Sequence, residues 1–222
     1  MKAQKPVIKK IIFQKEASPK DIIVETKNYT AVFSTRGAAL KSFKLKHYRK
    51  ECEKCVSDIW PVIKNSFTGN KQTARNKGDE LIELVALQEN MPYPLALTFP
   101  ESQTEITAES VYEANETGVD MMKDKNQQRL VFSRTFNGDL KVEKIFTFNP
   151  DNYSIELDVN VSNLSAAPVT HVPYLNWYEY VDPKQQVDSY SKEGPVAYVS
   201  KSIKRKKSAE VSKEETIGPD VS

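Results

Sequence analysis

Residues 129–163, "RLVFSRTFNGDLKVEKIFTFNPDNYSIELDVNVSN", constrain the fold more than any other stretch. Tyr153, Ile155, Leu157, Val159 and Val161 alternate with Ser154, Glu156, Asp158, Asn160 and Ser162. Period two with one apolar and one polar face is the pattern of a half-buried strand. Leu140, Val142, Phe146 and Phe148 repeat it on the preceding run, with Lys144 as the lone exception. Asn137-Gly138 between two such runs predicts a type I′ hairpin turn, because both central residues need positive φ. Asn149-Pro150-Asp151-Asn152 predicts a second, longer turn, since proline pre-sets φ. Strands joined by tight turns build antiparallel meanders rather than βαβ units.

The same punctuation recurs. "IIVET" (22–26) and "YTAVFS" (29–34) flank a Lys27-Asn28 turn, and "PLALTF" (94–99) alternates between two prolines. "ELIELVALQ" (80–88) fits helix or strand and is read as strand from its neighbours. Glu101, Glu105, Glu109 and Glu113 fall four apart, a repulsive line on a helix, so that segment is read as loop plus strand. Residues 63–80 and 118–128 are polar and aperiodic and are expected to be exposed loops. The tail from Ser200 is expected to be an outer strand with a wet face or a frayed end. Many short strands with few helices predict an all-β, large antiparallel sandwich.

Composition excludes several functions. Thirty-two basic and thirty acidic side chains leave a formal charge of +2, so no long-range field draws the chain to nucleic acid. No run of 18 apolar residues spans a bilayer. Near the N-terminus only Ile11, Ile12 and Phe13 form a continuous apolar run, shorter than a signal peptide needs. The expectation is a soluble chain without its own export signal, and a piece of something longer. Neither a G-x-S-x-G elbow nor a glycine-rich phosphate loop is present, and no pair among the thirty carboxylates stands out for glycoside chemistry.

Cys52 and Cys55 form a C-x-x-C pair on the polar loop "RKECEKCVSD". A thioredoxin-like motif needs a βαβ context, and structural zinc needs four ligands where only His47 and His171 are added. A local or free pair is the favoured reading. His171, in "PVTHVPY", reads as an ordinary strand histidine. Two basic runs, Lys41 to Lys50 and Lys204 to Lys207, admit attraction to an anionic membrane surface, but a solvated strand face that protects an edge is favoured. In "PYLNWYEY", Tyr174, Trp177, Tyr178 and Tyr180 are the groove candidates. On a strand Trp177 would face away from the three tyrosines. Core packing is the competing and favoured reading.

"TAVFSTRGAALKSFKLKHY" (30–48) places Thr-Arg-Gly-Ala-Ala between two apolar runs, with Lys41, Phe43 and Leu45 expected on one face. The wider run, through Val24, Thr26, Tyr29, Ala31, Phe33, Ser34, Thr35, Gly37, Leu40, Lys41, Ser42, Phe43, Leu45, Lys46 and Tyr48, resembles the opening of the periplasmic domain of YidC-type membrane protein insertases. That family's second glycine is Ala38 here. "LKVEKIFTFNPDNYSIELDVNVSNLS" and "GPVAYVSKSIKRKK" resemble later segments, so the likeness covers about residues 20–222. It implies a supersandwich similar to galactose mutarotase. Residues 1–20 would be a linker after a missing membrane anchor, and 21–222 a periplasmic domain lacking its terminal strand and helix. It also implies a module with no catalytic residue, cofactor or metal of its own, held at the bacterial inner membrane by parent helices. Its implied partners are Sec translocon accessory subunits and nascent membrane proteins, met in a chaperone-like way, with no nucleic acid. A periplasmic setting favours oxidation of the Cys52/Cys55 pair. The alternative is a carbohydrate-binding or aldose-epimerase-like sandwich, which needs a histidine and a carboxylate converging in a cleft. Gly37 is expected to turn the chain between paired strands.

Overall fold

The computed structural model describes residues 18–49, 80–85, 87–100, 102–123, 126–178, 180, 196–199 and 201–205, and every regular element among them is a strand. Two compact units are present, residues 1–178 and 179–222. In the first, β1 (Asp21–Glu25), β2 (Tyr29–Ser34), β3 (Ala39–Arg49), β4 (Leu81–Glu83) and β7 (Gly118–Asp120) form a sheet in the order β4-β3-β2-β1-β7. A second sheet runs β10 (Ile155–Asn163), β9 (Leu140–Phe148), β8 (Gln128–Phe136), β6 (Glu113–Ala114). Separately, β5 (Ala96–Thr98) pairs with β11 (Tyr174–Asn176). The second unit contains a hairpin of β12 (Val196–Val199) and β13 (Ser202–Arg205), with Ile203 and Lys204 exposed. Of the tail from Ser200, the described part is residues 201–205, with β13; residues 206–222 lie outside the described residues.

The sheets face one another through aromatic side chains. Phe33 of β2 meets Phe146 and Phe148 of β9 at 4.6 and 5.7 Å, and Phe132 of β8 at 6.3 Å. Period-two burial on β8 and β9 puts Leu130, Phe132, Leu140, Val142, Phe146 and Phe148 in that layer, each contributing about 1.5–3 kcal/mol by leaving water. The β8–β9 turn has the expected positive φ at Asn137 (50°) and Gly138 (77°). The Asp139 amide closes it on the Phe136 carbonyl at 3.0 Å. The ladder resumes at Phe136↔Leu140, so the loop holds Asp139 as one residue more than a two-residue hairpin.

Lys144, the exception in the alternation, is fully buried. Its Nζ donates to the carbonyls of Gly37 (3.1 Å), Ala38 (2.5 Å) and Leu95 (2.5 Å). It follows the inward period of β9 because the β2–β3 corner brings carbonyls to meet it. At that corner the Gly37 amide donates to the Ser110 carbonyl at 2.7 Å, and Arg36 bridges Val111. The turn expected at Gly37 is present, with φ +70° there and +45° at Ala38.

Three expectations need correction. Lys41 does not share a face with Phe43: β3 pairs Ser42 with Val32 and Leu40 with Phe33, so Lys41 is the extra residue of a bulge. Leu40 and Phe43 both turn inward, while Lys41 reaches Asp21 at 2.5 Å. The all-β antiparallel sandwich is as expected, with one parallel pair inside it, β7 beside β1, Val24 opposite Val119. Residues 118–121 are therefore not exposed loop, and Val119 and Met121 are core. Residues 50–79, with Cys52 and Cys55, lie outside the described residues. The strand read at 80–88 is present as β4 but stops at Glu83, leaving Leu84 exposed and Val85 buried.

Candidate functional site

Beside β3 and the start of β10 lies a groove of about 600 Å³. Leu40 and Phe43, turned inward by the bulge, form its floor, and Leu45 and Tyr48 continue it along β3. Tyr153 and Ile155 supply the wall from the other sheet, while Leu84, Val85, Leu95 and Trp177 complete the lining. The walls are wet at four places: Tyr48, Leu84, Tyr153 and Trp177 are 52%, 52%, 39% and 59% exposed. Large apolar side chains held open to water in a concave surface are the signature of a site that takes apolar groups. The tyrosine hydroxyls and the indole N–H give polar handles at the edge.

Of the four aromatic candidates, Trp177 lines this groove. Tyr174 is exposed on β11 opposite Thr98 and does not line it. Tyr178 is half-buried, and burial raises its phenol pKa. Tyr180 falls in the second unit. The shared-face reading lapses because β11 stops at Asn176, so strand alternation does not extend to Trp177. Sequence reasoning missed Tyr48, Leu84, Leu95 and Tyr153. Each is an apolar residue at or beside a strand end, which in sequence looks like core.

Other candidates resolve differently. The Ser102 hydroxyl meets His171 Nδ1, and the ring stacks on Phe99 at 5.5 Å. His171 Nε2 is buried without a partner, so no carboxylate orients this pair, and His47 is exposed on β3. The histidine–carboxylate pair required by the epimerase alternative is not formed among the described residues. In the first basic run Lys41 pairs with Asp21, and Lys46 reaches Glu25 and the Thr26 carbonyl. These cations dress the outer face of β3, which is not an edge because β4 lies beyond it.

A two-sheet aromatic core beside an open apolar groove defines a sheet-built, all-β module. The chain belongs to the family described as the YidC periplasmic domain, whose model matches residues 70–219. It is 39% identical over 202 residues to the membrane protein insertase YidC of Syntrophus aciditrophicus (strain SB), covering 91% of this chain and 33% of that protein. It is 34% identical over 155 residues to that of Pelobacter propionicus, covering 69% of this chain and 23% of that protein. Against that of Geobacter sp. (strain M21) identity is 29% over 171 residues, covering 77% and 27%. The chain thus spans a third or less of these relatives.

Proposed function

We propose that this chain is the periplasmic module of a bacterial inner-membrane insertase and that it assists insertion and folding by receiving apolar segments of nascent membrane proteins in the groove. Sec translocon accessory subunits are the second class of partner. In this reading residues 1–20 lead from a membrane anchor, 21–222 make up the sandwich, and a terminal strand and helix continue it in the parent. The observation that supports the groove is Trp177, which stands 59% exposed on an apolar wall. Such exposure costs the free domain hydrophobic free energy that an apolar segment would recover.

A photo-cross-linking amino acid at Trp177 of the full-length insertase tests this during synthesis of a membrane protein. Adducts with the nascent chain are expected there and not from Glu156, exposed on β10. Equal adducts from both positions, or none from Trp177, would overturn the groove reading. Adducts with Sec accessory subunits, from any position scanned across the surface, are expected as well, and their absence would remove that partner.

A further inference from the structure

Three carbonyls from two loops converge on one buried nitrogen. The residues that offer them to Lys144 all have positive φ: Gly37 at 70°, Ala38 at 45° and Leu95 at 67°. In a regular strand these carbonyls would lie in the sheet and bond to a neighbouring strand; here they turn inward instead. Protonated, the amine has three N–H donors, one for each carbonyl. Around it lie Phe132 and Val159 across the strand pairs and the Phe146 ring at 5.5 Å. Losing the amine would leave the buried Gly37 and Ala38 carbonyls, and the half-buried Leu95 one, without this donor, a costly state.

The same loops carry the groove. Ala38 is two residues from Leu40, whose amide donates to the Pro94 carbonyl at 3.0 Å. Leu95 is itself a groove residue, and its amide donates to the Asn176 carbonyl at 2.7 Å. Asn176 Nδ2 then holds the Ala96 carbonyl at 3.1 Å and Thr98 Oγ1 at 3.0 Å. Trp177 is the next residue. Hydrogen bonds therefore link Lys144 through Leu95 to Asn176, the residue bonded to Trp177 along the chain.

We infer that Lys144 is the positioning residue of the groove: by holding the Gly37, Ala38 and Leu95 carbonyls it sets Leu40, Leu95 and Trp177 to receive an apolar segment. This rests on the segment-binding reading above, and the test separates the two. A fluorescein-labelled twelve-residue peptide of alternating leucine and serine is titrated into the full 222-residue chain by anisotropy. Trp177→Ala and Lys144→Met are each expected to weaken binding at least tenfold. Phe136→Leu removes core packing against Tyr112, away from the groove, and should bind within twofold of wild type. Hydrogen exchange at the Leu40 and Leu95 amides should quicken in Lys144→Met and not in Phe136→Leu.

Wild-type binding by Lys144→Met, with binding lost in Trp177→Ala, overturns the positioning role and leaves the groove standing. Wild-type binding by Trp177→Ala overturns the groove reading, and unchanged exchange at Leu40 and Leu95 then overturns the role of Lys144 as well. If Lys144→Met does not fold, Asn176→Ala carries the test at a half-buried position. At least threefold weaker binding is expected, and wild-type affinity overturns the link through Asn176.

Discussion

Gly37 (φ +70°) and Gly138 (φ +77°) share a left-handed backbone, yet a methyl group would meet different surroundings at each. At Gly138 nothing lies within 4 Å; at Gly37 a Cβ would stand 2.7 Å from the Ala108 carbonyl oxygen. That oxygen is backbone, in the segment that also accepts the Gly37 amide at Ser110, so it cannot swing aside alone. Gly138→Ala should cost about 1–2 kcal/mol, the left-handed penalty of an L-residue. Gly37→Ala should cost about 3 kcal/mol or more, with the clash added. Urea unfolding at constant m-value measures both, and equal losses would show that the 108–110 segment yields. Ala38, where the family pattern has a second glycine, keeps φ at +45° with its methyl fully buried. The departure is absorbed as strain set against packing.

At the scale of elements, the β3 bulge is the device that places Leu40 and Phe43 on one face. Removing Lys41 would leave Val32↔Ser42 and Phe33↔Leu40 as a regular ladder, losing the Asp21 ion pair and some twist. Removing Lys44 would turn either Phe43 or Leu45 outward, because a one-residue slip flips the strand. Deletion of Lys41 is therefore expected to be tolerated within about 1 kcal/mol, the worth of an exposed ion pair. Deletion of Lys44 is expected to cost about 2–3 kcal/mol or more, as a core side chain is exposed. Thermal melts of the two deletions decide it, and similar midpoints would mean that the bulge migrates freely. This element also marks how far the sequence could be read. The alternation of Leu140 to Phe148 and of Ile155 to Val161 is a local pattern, so β8, β9 and β10 were legible. The bulge was not, since one extra lysine leaves no mark in composition. The parallel β1–β7 pair joins Val24 to Val119, far apart in sequence, a distance over which local pattern says nothing. Trp177 stood out in an aromatic cluster, but the groove depends on Tyr153 of one sheet lying near Tyr48 of the other, with ring centres 6.3 Å apart. No single segment encodes that approach.

For the whole molecule, stability should depend on pH through three buried groups. Burial pushes the Lys144 amine from its ordinary 10.5 down to about 7, against the pull of its three carbonyls. Burial also raises the phenols of Tyr29, to about 12, and Tyr112, both from 10.0. Below about pH 7 Lys144 is charged in both folded and unfolded chains and contributes no slope. Between about 7 and 10.5 the unfolded chain holds the proton that the folded chain has released, so stability rises with pH, by at most about 1.4 kcal/mol per unit. Above about pH 10 the sign reverses: the unfolded tyrosines ionise while the folded ones stay protonated, and stability falls. A maximum near pH 9–10 is the expected outcome, read by urea unfolding at pH 6.5, 8, 9.5 and 11. Lys144→Met should remove the rising limb and keep the falling one. A flat profile from pH 7 to 9.5 would mean that the carbonyls of Gly37, Ala38 and Leu95 outweigh desolvation and keep the ammonium charged. The β2–β3 corner would then hold a permanent buried cation, and a shift of the lysine Nζ resonance with pH in the wild-type chain would separate the two cases directly.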